Sequence, residues 1–298
     1  MENPPPNPAL LADLAYVLHV EELAARTDNA AGRPRGPVTG IKQLDKELGG
    51  FMSPGIHTLL AAPGAGKTAL ALQIAGNCGS TEHPVPALYV TCEMRPTELL
   101  RRIMAQVTGN VLTNFSGGKL AEAELQAQTT KAVETYSRLA IYDSTLDAAT
   151  PSAIINAAQA LKDSFESRHI LIVVDSLTDW AAMAAAEMTE YQANELALNS
   201  LKKIALALVC PVVVIVHRHR AGNRGDDENS KMFAGKATGR IEYISESMWN
   251  IEGTGDKKPD VNGHTKKKLT IVKNRKGTQD VEIPLLFEGR CQRFTQGF

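Results

Sequence analysis

Ala61-Ala62-Pro63-Gly64-Ala65-Gly66-Lys67-Thr68 stands between a short apolar run, Ile56 to Ala62, and a stretch of helical periodicity opening at Lys67. A glycine-bearing turn that leaves a strand and starts a helix is the setting a phosphate-binding loop requires. Gly64 and Gly66 let backbone N–H groups curl around a triphosphate, and the helix adds the positive end of its dipole. Ala62, Pro63, Gly64, Ala65, Gly66, Lys67 and Thr68 are therefore the candidate nucleotide-binding residues, with ATP as ligand. Lys67 is expected to reach the β- and γ-phosphates and the Thr68 hydroxyl to hold Mg²⁺. Alanine replaces glycine at the first position of the general pattern, Ala61.

Outward from this loop, β-branched runs alternate with longer helical stretches, which predicts an α/β fold with a twisted, mostly parallel sheet flanked by helices. Strands are expected at 56–62, 87–92, 139–142, 170–175 and 212–217, and helices at 67–77, 96–107, 121–137, 151–166 and 189–208. Beyond Ile241 the helical pattern stops. Strands at 247–251, 269–273 and 282–287 are expected to extend the sheet in antiparallel fashion.

Residues 1 to 8 are half proline, a mobile tail by composition. From Ala9 to Arg26, Leu10, Leu11, Leu14, Val17 and Leu18 recur at helical steps, predicting an amphipathic helix, and Thr27 to Pro37 reads as a linker. The expected organisation is a tail, helix and linker over 1–37 and one domain over 38–298.

With 43% hydrophobic and 22% charged residues in 298, the chain is neither disordered nor collagen-like. Its longest apolar run, Ile204 to Val216, contains Pro211 and falls short of the roughly 20 residues a membrane span needs. The N-terminus lacks the basic and apolar regions of a secretory signal, so a cytoplasmic protein with no membrane contact is expected. Cys78, Cys92, Cys210 and Cys291 lie far apart without metal-ligand spacing and read as reduced thiols, not a zinc site. Net charge is -1, yet six Lys or Arg fall between His217 and Arg240 and six more, without acids, between Val261 and Lys276. Such segments suit a polyanion.

An acid at the end of the buried run Leu171-Ile172-Val173-Val174-Asp175 is costly without a partner, and Mg²⁺ beside Thr68 supplies one. Glu93, closing the run Ala87 to Cys92, is the candidate for activating water.

In this order the motifs resemble those of DnaB-like hexameric replicative helicases, whose motor is RecA-like. The resemblance runs from Val38 to Thr295 and rests on six strings. They are Thr39-Gly40-Ile41 with Leu44-Asp45 and Gly49-Gly50-Phe51; the loop with leading alanine; Cys92-Glu93-Met94 with Glu98-Leu99 and Arg102; Leu139 to Asp143 with Thr150-Pro151-Ser152; Leu196 to Ala205; and Lys273-Asn274-Arg275-Lys276-Gly277. It implies that Glu93 is the catalytic base, that Lys67 and Asp175 complete the ATP and Mg²⁺ site, and that its strand lies beside that of the phosphate loop. It implies that His217 senses the γ-phosphate and that Lys273 and Arg275 enter the next subunit's site. Arg218, His219 and Arg220 continue the family pattern after that strand, one of them expected to contact the nucleotide or the DNA, with Arg220 the candidate for DNA. The long segment Ala221 to Arg240 corresponds to a pore loop holding single-stranded DNA, with Lys236, Ala237, Gly239 and Arg240 at or beside its contacts.

The implied protein is an ATP-driven homo-hexameric ring on single-stranded DNA, acting in replication with separate primase and loader. The family's large N-terminal domain is not expected in 37 residues. Two alternatives remain open at this point: a RecA-like recombination or repair ATPase that binds DNA without unwinding it, and a signalling ATPase of the same fold that never touches DNA.

Overall fold

A computed structural model describes residues 10–184, 188–217, 239–254, 259–261 and 263–297. The chain divides into two compact units, Met1–Arg35 and Gly36–Phe298. The tail at 1–8 lies outside the described residues.

In the first unit, helix α1 spans Leu11–Ala30, running through the first part of the expected linker. Thr27 extends it by donating its hydroxyl to the Leu23 carbonyl at 3.0 Å, and Gly32 at φ 65° marks the break. The expected positions Leu10, Leu11, Leu14, Val17 and Leu18 share one arc of the helix, but Tyr16, Val20 and Leu23 carry exposed apolar side chains well beyond it, leaving His19, Glu22 and Arg26 on the remaining sector.

The second unit holds α2 (Lys42–Glu47), β1 (Gly55–Ala61), α3 (Lys67–Gly79), β2 (Ala87–Thr91), α4 (Pro96–Thr108), a 3₁₀ turn (Leu112–Phe115) and α5 (Glu122–Thr135). Then come β3 (Leu139–Asp143), α6 (Pro151–Ser164), β4 (Leu171–Asp175), α7 (Leu177–Ala184), α8 (Glu190–Leu208) and β5 (Pro211–His217). Four further strands close the unit: β6 (Ser245–Gly253), β7 (His264–Asn274), β8 (Val281–Glu288) and β9 (Arg293–Gln296). Two helix starts follow from capping chemistry. Thr150 accepts from the Ala153 amide ahead of Pro151, and Thr189 with Gln192 forms a capping box.

The nine strands form one sheet in the order β3-β2-β4-β5-β1-β6-β7-β8-β9. Alternation along the strands divides the core in two. Leu59, Tyr89, Val173, Val213, Ile215 and Trp249 pack on the face bearing α3 and α4. Ile172, Val174, Val212 and Val214 pack on the face bearing α6, α7 and α8. The central strands are covered on both faces, which is why they read as unbroken apolar runs.

Two expectations about the sheet are corrected. β6 pairs with β1 in parallel, and only β7, β8 and β9 are antiparallel. The reason is that β5 ends at the loop end of the sheet while Ser245 pairs with Ile56 at the opposite end, so the chain crosses over before β6 begins. Nor does β2, which leads to Glu93, lie beside β1: β4 and β5 stand between them.

Candidate nucleotide-binding site

The loop leaves β1 at Ala61 and enters α3 at Lys67, with Gly66 as N-cap residue in the left-handed region at φ 97°. No side chain caps α3, so its first-turn amides are not spent on a protein side chain. Gly64 also has positive φ, 77°, and a Cβ there would meet nothing within 4 Å. At Gly66 a Cβ would come within 2.8 Å of the Phe294 ring. That ring is seated from α3: the Gln73 amide donates to the Phe294 carbonyl at 2.7 Å, and its oxygen accepts from the Phe294 amide at 2.8 Å.

Parallel pairing gathers the other candidates at the same end of the sheet. Ala61 lies opposite His217 on β5, and Thr91 opposite Asp175 on β4. Strand alternation puts His217 with Val213 and Ile215, and Asp175 with Leu171 and Val173, on the α3 face. Lys67, buried at 7% exposure, places Nζ 2.7 Å from His217 Nδ1. Since the ammonium only donates, Nδ1 is the acceptor and a neutral ring carries its proton on Nε2. Nε2 in turn lies 3.9 Å from a Glu93 carboxylate oxygen. Burial lowers the pKa of Lys67, opposed by the negative charges of Asp175, Glu93 and Asp179.

Burial raises the pKa of Asp175, opposed by hydrogen bonds from the hydroxyls of Tyr89 and Thr68. Tyr89 donates to Oδ2 at 2.7 Å. Oδ1 is buried and has no hydrogen-bond partner among the described residues. An orphaned carboxylate oxygen beside a threonine hydroxyl fits a hydrated Mg²⁺, so Thr68 and Asp175 are suited to hold that ion.

One residue escaped the sequence reading. Asp179, in the first turn of α7, has a carboxylate oxygen within 4.8 Å of ligand atoms of both Glu93 and His217. Its Oδ2 accepts from the Ser176 hydroxyl. The only signal was an acid four residues after Asp175, in a helix too short to show periodicity.

Lys273 and Arg275 are not brought to this site. Lys273 lies opposite Met248, level with Thr58 midway along β1, and the Arg275 amide donates to the Glu246 carbonyl at 2.9 Å, at the Ile56 end of that strand. The phosphate loop leaves the Ala61 end, and at about 3.3 Å per residue β1 separates the two ends by roughly 17 Å. Lys273 donates to the Glu242 carbonyl, and Arg275 to the Tyr243 carbonyl and the Glu246 carboxylate. Their neighbours anchor the turn. Asn274 donates to the Glu47 carbonyl at 2.8 Å, and a Cβ on Gly277 would come within 2.5 Å of that same oxygen. The Thr39-Gly40 and Leu44-Asp45 strings are likewise structural: Asp45 accepts from the Thr39 amide and hydroxyl, both at 2.7 Å, and from the Gly40 amide at 3.0 Å.

Of the DNA candidates, Gly239 and Arg240 belong to a helical turn at 239–244. Arg240 is held by α8, 3.3 Å from a Glu195 carboxylate oxygen and 3.5 Å from the Asn199 amide oxygen. Arg220, Lys236 and Ala237, with Arg218 and His219, lie outside the described residues. All four cysteines are buried free thiols. Among the described residues no helix is long and apolar enough to cross a membrane.

Comparison with known proteins places these features in a family context. The family model described as DnaB-like helicase C terminal domain matches residues 36–296. The replicative DNA helicase DnaB of Geobacillus stearothermophilus is 28% identical over 215 residues, covering 72% of this chain and 46% of that protein. The chain thus spans about half the length of the curated relatives it matches. Among solved structures, the ATPase domain of G40P aligns with TM-score 0.77 at 19% identity, covering 98% of this chain and 100% of that one. A DnaB-like replicative helicase, described with its interactions with primase, aligns with TM-score 0.74 at 18% identity, covering 97% of this chain and 70% of that one. At these identities the structural matches establish the fold: RecA-like, as the motifs implied.

Proposed function

This chain belongs to the DnaB-like helicase C-terminal domain family, and from that premise we propose that it is the motor of an ATP-driven, ring-forming DNA helicase acting in replication. The observation that carries this reading is a division of labour. Lys67, Thr68, Asp175, Glu93 and His217 converge at one end of the sheet, while the basic pair Lys273 and Arg275 is held at the other end of β6 and β7. A basic pair held away from its own phosphate loop is placed to reach a neighbour's, and closed rings are built from such head-to-tail contacts.

In the bound site Lys67 and the α3 amides hold the phosphates, and Thr68 and Asp175 hold Mg²⁺. That ion supplies charge neutralisation of the phosphate oxygens. Glu93 accepts the proton of the attacking water. His217, relieved of Lys67 when the lysine turns to phosphate, hydrogen-bonds the γ-phosphate and reports its loss along β5. Lys273 and Arg275 of the next subunit stabilise the charge of the transferring phosphoryl group, a contribution of about 10³–10⁵ in rate where such a finger has been measured. The segment that follows β5, with Arg220, Lys236, Ala237, Gly239 and Arg240, tracks the phosphates of single-stranded DNA without reading bases. The α1 helix joins neighbouring subunits of a hexamer, and primase and loader are separate proteins.

ATPase activity with and without single-stranded DNA, together with unwinding of a forked duplex, tests the proposal. Stimulation by DNA and strand displacement are expected. Stimulation without unwinding would favour a recombination-type ATPase, and indifference to DNA a signalling one.

A further inference from the structure

Three carboxylates and one buried ammonium crowd the loop end of the sheet. Asp175, Glu93 and Asp179 all act on Lys67, three carboxylates against one ammonium beside the His217 ring. We propose that Glu93, Asp179 and His217 form a second divalent-cation site, of transition-metal type, distinct from the magnesium position at Thr68 and Asp175.

The donor atoms of the three residues already lie within 4.8 Å of one another. A tetrahedral ion with bonds near 2.1 Å needs its ligand atoms about 3.4 Å apart, a modest closure. The residues differ in their freedom to make it. His217 is oriented by Lys67 at Nδ1, which turns Nε2 toward Glu93. Asp179 is fixed at Oδ2 by the Ser176 hydroxyl, leaving Oδ1. Glu93, 53% exposed at its side chain, is the arm that closes. Asp175, whose Oδ1 is assigned above to the magnesium position, interacts electrostatically with both Glu93 and His217. It adds negative potential to the same cluster.

The donor set selects the ion. One imidazole nitrogen with two carboxylate oxygens suits Zn²⁺ or Co²⁺, whereas Mg²⁺ prefers oxygen alone. Metal at Nε2 takes the lone pair there, so the ring proton moves to Nδ1 and Lys67 loses its acceptor. If Glu93 activates water as proposed above, an ion at this site also withdraws that base. The existence of the site does not depend on that reading.

The test is Co²⁺ alone, added to the nucleotide-free full chain and followed by its visible ligand-field absorption, for wild type, Asp179→Asn and Asp179→Glu. Saturable binding is expected in wild type, resistant to excess Mg²⁺ and displaced by Zn²⁺. Asp179→Asn should weaken it about 10–100-fold, and Asp179→Glu should restore much of it. Circular dichroism checks the fold, and should Asp179→Asn unfold, Glu93→Gln carries the same expectation. No Co²⁺ band in wild type, equal binding in the variants, or displacement by Mg²⁺ overturns the proposal. Because the readout is metal alone, a chain that failed to act on DNA would leave this result standing.

Discussion

The Nζ of Lys67 sits 2.7 Å from Nδ1 of His217, so the cation suited to phosphate is parked on the imidazole that ends β5. Binding phosphate means leaving that ring, which links occupancy of the loop to the state of β5 through one hydrogen bond.

His217→Ala removes the parking place. Affinity for ADP should be undiminished, since no Lys67 contact to the ring has to be broken, while turnover falls by about 10²-fold through loss of a polar group that acts on the reacting phosphate. Titration calorimetry with ADP beside steady-state kcat checks this. Parallel losses in both would assign His217 a purely structural role.

Glu93→Gln keeps the shape of the side chain and removes its basicity. Hydrolysis should drop by about 10²–10⁴-fold with nucleotide binding intact. The exposed position of Glu93 means its loss leaves the core untouched, so the thermal midpoint should not move.

Gly66→Ala meets two obstacles at once, a φ of 97° and a Cβ only 2.8 Å from the Phe294 ring. About 1–3 kcal/mol of backbone strain is expected, with loss of ADP binding. Phe294→Ala in the same chain relieves the contact but not the φ, and should recover stability in part. Full recovery would show that the ring alone demands glycine.

His57 predicts a pH dependence. Its Nε2–H donates to the Ser53 carbonyl and its Nδ1 accepts from the Ser247 hydroxyl, both at 2.7 Å. Burial, aided by Lys276 and opposed by the Ser53 hydrogen bond, lowers its pKa to about 4. The unfolded chain takes up a proton near pH 6.5 and the folded chain does not, so stability falls as pH drops from about 6.5 to about 4 and levels off below. The full effect is about 3 kcal/mol. Urea unfolding across that range should show the slope in wild type, and His57→Gln should flatten it.

The central sheet was legible because β4 and β5 are covered on both faces and therefore show as unbroken apolar runs. The phosphate loop was legible because its chemistry needs particular residues at fixed spacing. Asp179 and α7 were not, since eight residues hold barely two turns and only the tertiary placement of that helix, which brings the acid to Glu93 and His217, gives it its meaning. The direction of β6 was hidden for a related reason: alternation tells which face a residue takes, but not which end of the sheet the chain enters from. On α1, counting five apolar positions predicted a narrow stripe, while Tyr16, Val20 and Leu23 widen it over most of the circumference.

The claim on which the motor depends is that two copies of the chain share each ATP site, since within one chain Arg275 and Lys67 occupy opposite ends of β1. Mixing Glu93→Gln with Arg275→Ala tests it, each inactive alone. The account predicts that DNA-stimulated ATPase returns in the mixture, where the base of one chain meets the arginine of the other. Absence of recovery at every mixing ratio, with both variants shown to assemble together, would contradict it.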